Sequence, residues 1–334
     1  MLIRPFNYEE DAMSVCNLWN RVIKEEDFYY HYEFEEFDSI LFKNRHFDST
    51  GAFVAVDGGL LVGFSCGFVR LEDREKENRI GYFNQIFVDP LYRRQGIGTK
   101  LWQEVAKWFK KQGCVAVRSF YQSPVNWPWY IPGTDHHNHP GTPAIRINSS
   151  EYFFMLAMGF YMQGQIDAFH LPLSEYHMPE KVQAKMAENA KKGFTIEVYD
   201  STKHFGVEEF CKKIEDTGNT GFANAIRYNL KREKPYPFLI VSDHGRMAGW
   251  TGPMYTETSG RGHLDGICVD PDVRGGGLGR GLFCTLCEYS KNQGSSFMTF
   301  FTGLENPARY IYLGAGFKVV QSYAIMKYDI EEAK

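Results

Sequence analysis

The chain has 334 residues, 43% of them hydrophobic and 23% charged, with a formal charge of −4. That is the composition of a globular protein of about two domains, whose cores need neither disulfide nor metal, and it excludes disorder. It carries no basic footprint for nucleic acid and no run of ~18 apolar residues for a membrane; its seven cysteines form no disulfide framework, so a cytoplasmic chain with reduced thiols is expected.

Residues 1–11 have neither the charged head nor the apolar core of a signal peptide. Helices are expected over 7–22 and 33–42, followed by a hairpin of strands 51–56 and 60–68 around a polar turn. A further strand ends at Val88-Asp89-Pro90, because proline cannot continue a central strand. The next residues, Arg93-Arg94-Gln95-Gly96-Ile97-Gly98-Thr99, open a helix. Its apolar face is Ile97, Leu101, Val105, Trp108 and Phe109, at three- and four-residue spacing, and Gly113 closes it. A strand over 114–121 follows.

The pattern then starts again. Asn84-Gln85-Ile86-Phe87-Val88-Asp89-Pro90 aligns without a gap with Asp265-Gly266-Ile267-Cys268-Val269-Asp270-Pro271. Arg93 and Arg274 are 181 residues apart, as are Gly98 and Gly279, and Gly113 and Gly294. Two copies at this spacing are a duplicated domain, because solenoid units run to only about 20–50 residues. The second copy repeats the helices (204–214, 220–230), the hairpin (238–242, 247–253), the helix face (Leu278, Leu282, Phe283, Leu286) and the strand (297–301). Between the copies, 179–192 is rich in Lys, Glu and Ala and ends at Gly193, which reads as a helical connector. The expected organisation is a first domain over 1–171 with an insertion at about 122–147, a connector over 172–193, and a second domain over 194–334.

A strand, a turn with two glycines and a helix make an anion site for a definite reason. The first helical N–H groups have no partner and point along the positive end of the helix dipole, and glycine lets the backbone approach an anion closely. Neither copy is a Walker loop, since no Gly-Lys-Ser/Thr occurs in order. Neither is the dinucleotide fingerprint, since Leu101 and Leu282 stand where a third glycine belongs. What remains is Arg-x-x-Gly-x-Gly, at 93–98 and again at 274–279.

With these turns the chain resembles the GNAT superfamily of acyl-coenzyme A N-acyltransferases, whose signature is Gln/Arg-x-x-Gly-x-Gly/Ala after a valine-ended strand. The two-copy layout is similar to that of the mycothiol synthases, whose chemistry lies in the second half. The resemblance implies two tandem α/β domains, each a mixed, twisted sheet flanked by helices. It implies acetyl-coenzyme A as co-substrate, without a metal, and a small-molecule or peptide amine as acceptor. The pyrophosphate would sit on Arg94, Gln95, Gly96, Ile97, Gly98 and Thr99, or on Gly275, Gly276, Gly277, Leu278, Gly279 and Arg280. The pantetheine arm would pair with Phe87-Val88 or Cys268-Val269. One or two such sites per chain are expected, and a coenzyme-binding sensor or scaffold without catalysis is the competing class.

The copies differ where the family does its chemistry. The resemblance places Tyr312, four residues before Gly316-Phe317, beside the coenzyme sulfur, where it would protonate the leaving thiolate. A phenol of pKa about 10 can do so while neutral. In the first copy, Gly159-Phe160 is preceded at that distance by Met155, which has no proton to give. The family's basic carboxylate falls on His263 in the second copy and Tyr82 in the first. Strand alternation puts Asp265 on the face of His263, where a carboxylate would hold an imidazole and raise its pKa. Packing remains the other reading of Tyr312, and a surface position the other reading of His263.

Forty-six residues separate Gly113 from Gly159, but 22 separate Gly294 from Gly316, so the first copy carries 24 more. They include Trp127-Pro128-Trp129-Tyr130-Ile131-Pro132 and His136, His137 and His139, whose spacing matches no zinc template. A solvated, proline-pinned loop is expected there, with aromatics able to cover a cleft. Cys284 and Cys287 lack a second pair for zinc and read as small buried residues on one helix face.

Overall fold

The structure is a computed structural model that describes residues 1–24 and 27–330. The chain forms two compact units: residues 1–168 with 320–334, and residues 169–319. The elements follow the expected mixed α/β order in both.

In the first unit, β1 (Leu2–Pro5), α1 (Tyr8–Ile23) and α2 (Phe34–Ile40) precede β2 (Ala52–Asp57), β3 (Leu60–Val69) and β4 (Arg79–Val88). Asn7 caps α1 by accepting the Glu9 N–H at 3.0 Å, and three acidic residues complement the first turn. Next come α3 (Ile97–Lys111) and β5 (Cys114–Ser119). The short strands β6 (Trp129–Tyr130), β7 (Asn138–His139) and β8 (Ile145–Arg146) lead to α4 (Ser150–Ala157) and β9 (Tyr161–Pro172). The sheet runs β1-β2-β3-β4-β5. It is antiparallel except for β4 and β5, which pair in parallel only from Arg79 to Tyr82 and then part. Helix α3 packs across β2 to β4. Gly67 and Gly81 admit the Phe109 ring there, because a Cβ at either would lie 2.5 Å from it.

The second unit holds α5 (Glu180–Ala190), β10 (Phe194–Val198), α6 (Val207–Asp216), α7 (Thr220–Leu230), β11 (Leu239–Asp243), β12 (Arg246–Gly252) and β13 (Gly266–Val269). It continues with α8 (Leu278–Asn292), β14 (Phe297–Gly303) and α9 (Arg309–Gly314), and β15 (Lys318–Asp329) is the last element among the described residues. β10-β11-β12-β13 form an antiparallel sheet with β13 at its end. The segment before β13 meets β14 at one parallel bridge, Arg261 to Phe297, and β13 itself pairs only with β12 among the described residues. Cys284 and Cys287 are buried on α8 in this core, as their spacing indicated.

The compact units depart from chain-order boundaries of 1–171 and 194–334 in two ways. The last strand of each copy changes unit along its length: β15 pairs with β5 at Met326–Ser119 in the first unit, while Phe169 of β9 accepts the Thr299 hydroxyl at 2.8 Å in the second. The connector is also no free linker. Tyr176, Met178 and Val182 are buried in the second unit's core, so α5 belongs to that unit.

The insertion corrects a second expectation. It is not a solvated loop: Val125, Trp127, Trp129 and Ile131 are each at most 3% exposed. β6 and β7 form a small hairpin, with His139 stacked on Trp129 at 5.4 Å. Large aromatic surfaces drive this burial, and the prolines shape the path rather than keep it in water.

Candidate active site

Both glycine turns have the same backbone. Arg94 and Gly96 have φ of 63° and 79°, and the matching Gly275 and Gly277 have 87° and 80°. Arg94 therefore holds, without glycine's freedom, a left-handed conformation that its counterpart reaches freely. The first helical bonds of the two helices are Lys100 N–H to Gly96 and Gly281 N–H to Gly277, so the amides of 97–99 and 278–280 precede both ladders. Neither first turn holds an acidic side chain, which leaves both helix ends suited to an anion.

Pairs of ionic contacts that the sequence reading missed anchor the turns. Asp89 caps its turn through the Leu91 N–H and accepts Arg21 of α1 at 3.0 Å. Asp270 caps through the Asp272 N–H and accepts Lys213 of α6 at 2.8 Å. Arg93 and Arg274 donate to the carbonyls of Val88 and Val269 at 3.0 and 2.9 Å. The repeated Val-Asp-Pro was the visible signal, but its partners lie dozens of residues away. In the second unit Asn189 of α5 also donates to the Gly276 carbonyl at 3.0 Å, so the connector helix braces that turn.

In the second copy a cavity of about 470 Å³ occupies the wedge between β13 and β14. Asp265, Cys268, Val269, Arg274 and Tyr312 line it, with Phe300 to Thr302 on the facing strand. Tyr312 is buried against Phe283 and Phe300, at 4.8 and 4.5 Å between ring centres, and burial pushes its phenol up to about 12. It therefore keeps its proton at neutral pH.

His263 stands behind Asp265. Its Nε2 is 3.0 Å from Asp265 and its Nδ1 2.9 Å from Glu257, while its ring stacks on Tyr255 at 4.3 Å. Burial opposes protonation of this imidazole, but the hydrogen bonds to Asp265 and Glu257 outweigh it and raise the pKa. Burial likewise works against ionised Glu257, yet bonds from His263 and Arg261 lower it to about 2. Both ring nitrogens face carboxylates, which favours the imidazolium, a form without a lone pair. It becomes a base only after losing the Nε2 proton on the side of Asp265.

The first copy has a cavity too, of about 560 Å³, lined by Phe87, Val88, Arg94, Gly96, Ile97, Gly98 and Thr99 together with Phe153 and Phe154 of α4. What stands beside it differs. Met155 is 1% exposed and belongs to the core. Tyr82 is buried, stacked on Phe120 at 5.8 Å and under the Arg70 guanidinium. Trp127 of the insertion lies against Trp19 at 4.5 Å and donates to Gln85 of β4 at 2.7 Å, while Asn84 donates to the Val125 carbonyl. The insertion thus fills the space between β4 and helices α1 and α2 in its own unit.

The acetyltransferase (GNAT) family model matches residues 19–129 and 201–317, more than half of the chain. A GCN5-related glucosamine N-acetyltransferase region in a fungal multi-domain GH3 β-N-acetylglucosaminidase has a TM-score of 0.65 at 15% identity, covering 98% of this chain and 38% of that one. A GCN5-related N-acetyltransferase from Sphaerobacter thermophilus gives 0.61 at 16%, covering 100% and 96%. A tandem GNAT protein from the clavulanic acid biosynthesis pathway gives 0.57 at 14%, covering 100% and 99%. These likenesses show the fold. No curated protein sequence matches.

Proposed function

This chain belongs to the acetyltransferase (GNAT) family, and we propose that it moves an acetyl group from acetyl-coenzyme A to a primary amine of a small molecule or peptide, with the chemistry in the second copy. One observation carries the reading: Asp265, Cys268, Val269 and Tyr312 line a single cavity in the wedge beside a glycine turn. We place the chain in the cytoplasm, a reading supported by its seven free cysteines. No helix among the described residues is long and apolar enough to cross a membrane.

The residues divide the work as follows. Amides 275–280 hold the pyrophosphate and Cys268-Val269 the arm. Deprotonated His263 takes the amine's proton through Nε2, its other nitrogen fixed by Glu257. The amine nitrogen bonds to the carbonyl carbon, the C–S bond breaks, and Tyr312 protonates the departing sulfur. Thiol release measured across an amine panel tests the reading; glucosamine heads the panel because one structural relative is named for it. Binding of acetyl-coenzyme A with no turnover of any amine would favour the sensor class instead. The filled acceptor side of the first copy supports that role for the first unit alone: it would bind the coenzyme without transferring from it.

Tyr312→Phe should lower kcat by about 10²-fold, with the affinity for acetyl-coenzyme A nearly unchanged, because only a transition-state contact is lost. An unchanged kcat, with chemistry rate-limiting, returns Tyr312 to packing.

The pH profile follows from the sign at His263. Its folded pKa is raised, so the clamp's contribution to stability is full below the unfolded pKa and is lost as pH rises through the folded one. Activity runs the other way: kcat/KM rises with pH as His263 sheds its proton. Asp265→Asn removes a bond that favours the charged ring, so the acid limb should move to lower pH. A limb that stays put assigns the base elsewhere.

A further inference from the structure

Thr302, near the end of β14, is 6% exposed, yet its hydroxyl oxygen has no hydrogen-bond partner among the described residues. Buried hydroxyls nearly always find one, because desolvation without a bond is unfavourable. Thr302 lines the second-copy cavity, so the residue stands in the wall of the wedge rather than in a closed core.

Two observations locate it. Strand alternation puts Thr302 on the face of Phe300, whose ring lies 4.5 Å from that of Tyr312. The facing segment lines the same cavity from Leu264 to Val269, and β13 starts at the level of Gly266. That level lies between His263 and Asp265 on one side and Cys268-Val269 on the other. On the reading proposed above, those are the base and the arm, so the reacting carbonyl falls between them. The matching residue of the first copy is Tyr121, which is 56% exposed, so that copy has no buried hydroxyl there.

We infer that Thr302 is a second donor to the thioester oxygen: its hydroxyl on β14 and a backbone N–H of β13 together stabilise the oxyanion. The inference rests on the acetyl-transfer reading. As the amine nitrogen bonds to the carbonyl carbon, the π pair moves onto oxygen, held from both strands. When the C=O bond re-forms, the C–S pair leaves with sulfur, which takes the Tyr312 proton. The proton from the amine goes to His263, and solvent returns one to Tyr312. A donor aimed at the oxyanion acts mainly in the transition state.

The test compares wild type, Thr302→Val and Thr302→Ser by isotope-edited infrared spectroscopy of carbonyl-labelled acetyl-coenzyme A, without any amine. Hydrogen bonding lowers the carbonyl stretch. The difference between proteins cancels any contribution from the first unit. The shift should shrink in the valine variant and return in the serine variant, with calorimetric affinity nearly constant. Thermal melting of the valine variant should not fall, because its methyl replaces a hydroxyl that bonds nothing. With a reacting amine of the panel, Thr302→Val should lower kcat by about 10²-fold.

An unchanged carbonyl band in Thr302→Val overturns the inference and leaves the acetyl-transfer reading intact. A higher KM for the amine with unchanged kcat also overturns it, assigning the hydroxyl to the acceptor. If the wild-type protein binds no acetyl-coenzyme A, the coenzyme reading fails, and this inference fails with it.

Discussion

Gly279→Glu abolishes turnover, a loss of at least about 10²-fold by displacement of the reacting group alone, while Gly98→Glu leaves most of it. Each substitution puts a carboxylate where the amides of a helix start would hold a pyrophosphate, so each closes its own turn to the coenzyme. Neither glycine has a positive φ, so the backbone accepts a side chain. A Cβ at Gly279 would lie 3.3 Å from Ile311 and 3.6 Å from Val269; one at Gly98 would lie 3.2 Å from the Phe154 ring. These neighbours are side-chain atoms, so both variants should fold with small adjustments. Calorimetry should then show one coenzyme site lost in each variant. Thiol release separates them, because only the second cavity combines Tyr312 with Asp265. If Gly98→Glu stops catalysis in a folded protein and Gly279→Glu spares it, the assignment of the copies is reversed.

The duplication, the turns and most of the elements were legible because they are local. A valine-ended strand, a proline, two glycines and a helical stripe within thirty residues are read by spacing alone, and a second copy at constant offset removes the ambiguity. What stayed hidden depends on distant partners. Asp89 and Asp270 read as strand ends, and their contacts with Arg21 and Lys213 appear only in three dimensions. Asn189 sits in a stretch whose Lys-, Glu- and Ala-rich composition reads as a helical connector, although its side chain braces the glycine turn. The last strand of each copy, β9 and β15, was not read from the sequence at all. Their passage between units is a matter of pairing, which strand propensity does not encode. His263 and Asp265 are in hydrogen-bond contact, but Glu257, the second carboxylate on that ring, lies across a turn six residues earlier. It changes the proposed chemistry, because a ring clamped twice would have to shed a proton before it could act as the base.

Trp127→Ala should destabilise the folded chain by about 3–5 kcal/mol, the range for removing a large aromatic from a core, without giving the first copy any activity. The size follows from its surroundings. The indole is 3% exposed and meets Trp19, Phe37 and Tyr32 at 4.5, 5.3 and 5.4 Å. Truncation leaves a cavity among rigid rings that cannot readily collapse into it, and it deprives buried Gln85 of the N–H at 2.7 Å. Trp127→Phe should recover part of the loss, because it restores ring volume but not the donor. Denaturant unfolding followed at two wavelengths measures both variants; a loss below about 1 kcal/mol for alanine, the level of an ordinary mutation, would mean that the insertion lies on the unit rather than in it. The absence of gained activity is the functional half of the prediction. Opening the space between β4 and helices α1 and α2 admits an amine, but Met155 still cannot protonate a thiolate, and Tyr82 remains stacked in the core with its pKa raised by burial. The insertion is therefore not the lock on a working site. On the proposed reading the first copy lacks both an acid and a base, and the aromatic fill occupies space that no chemistry there would use.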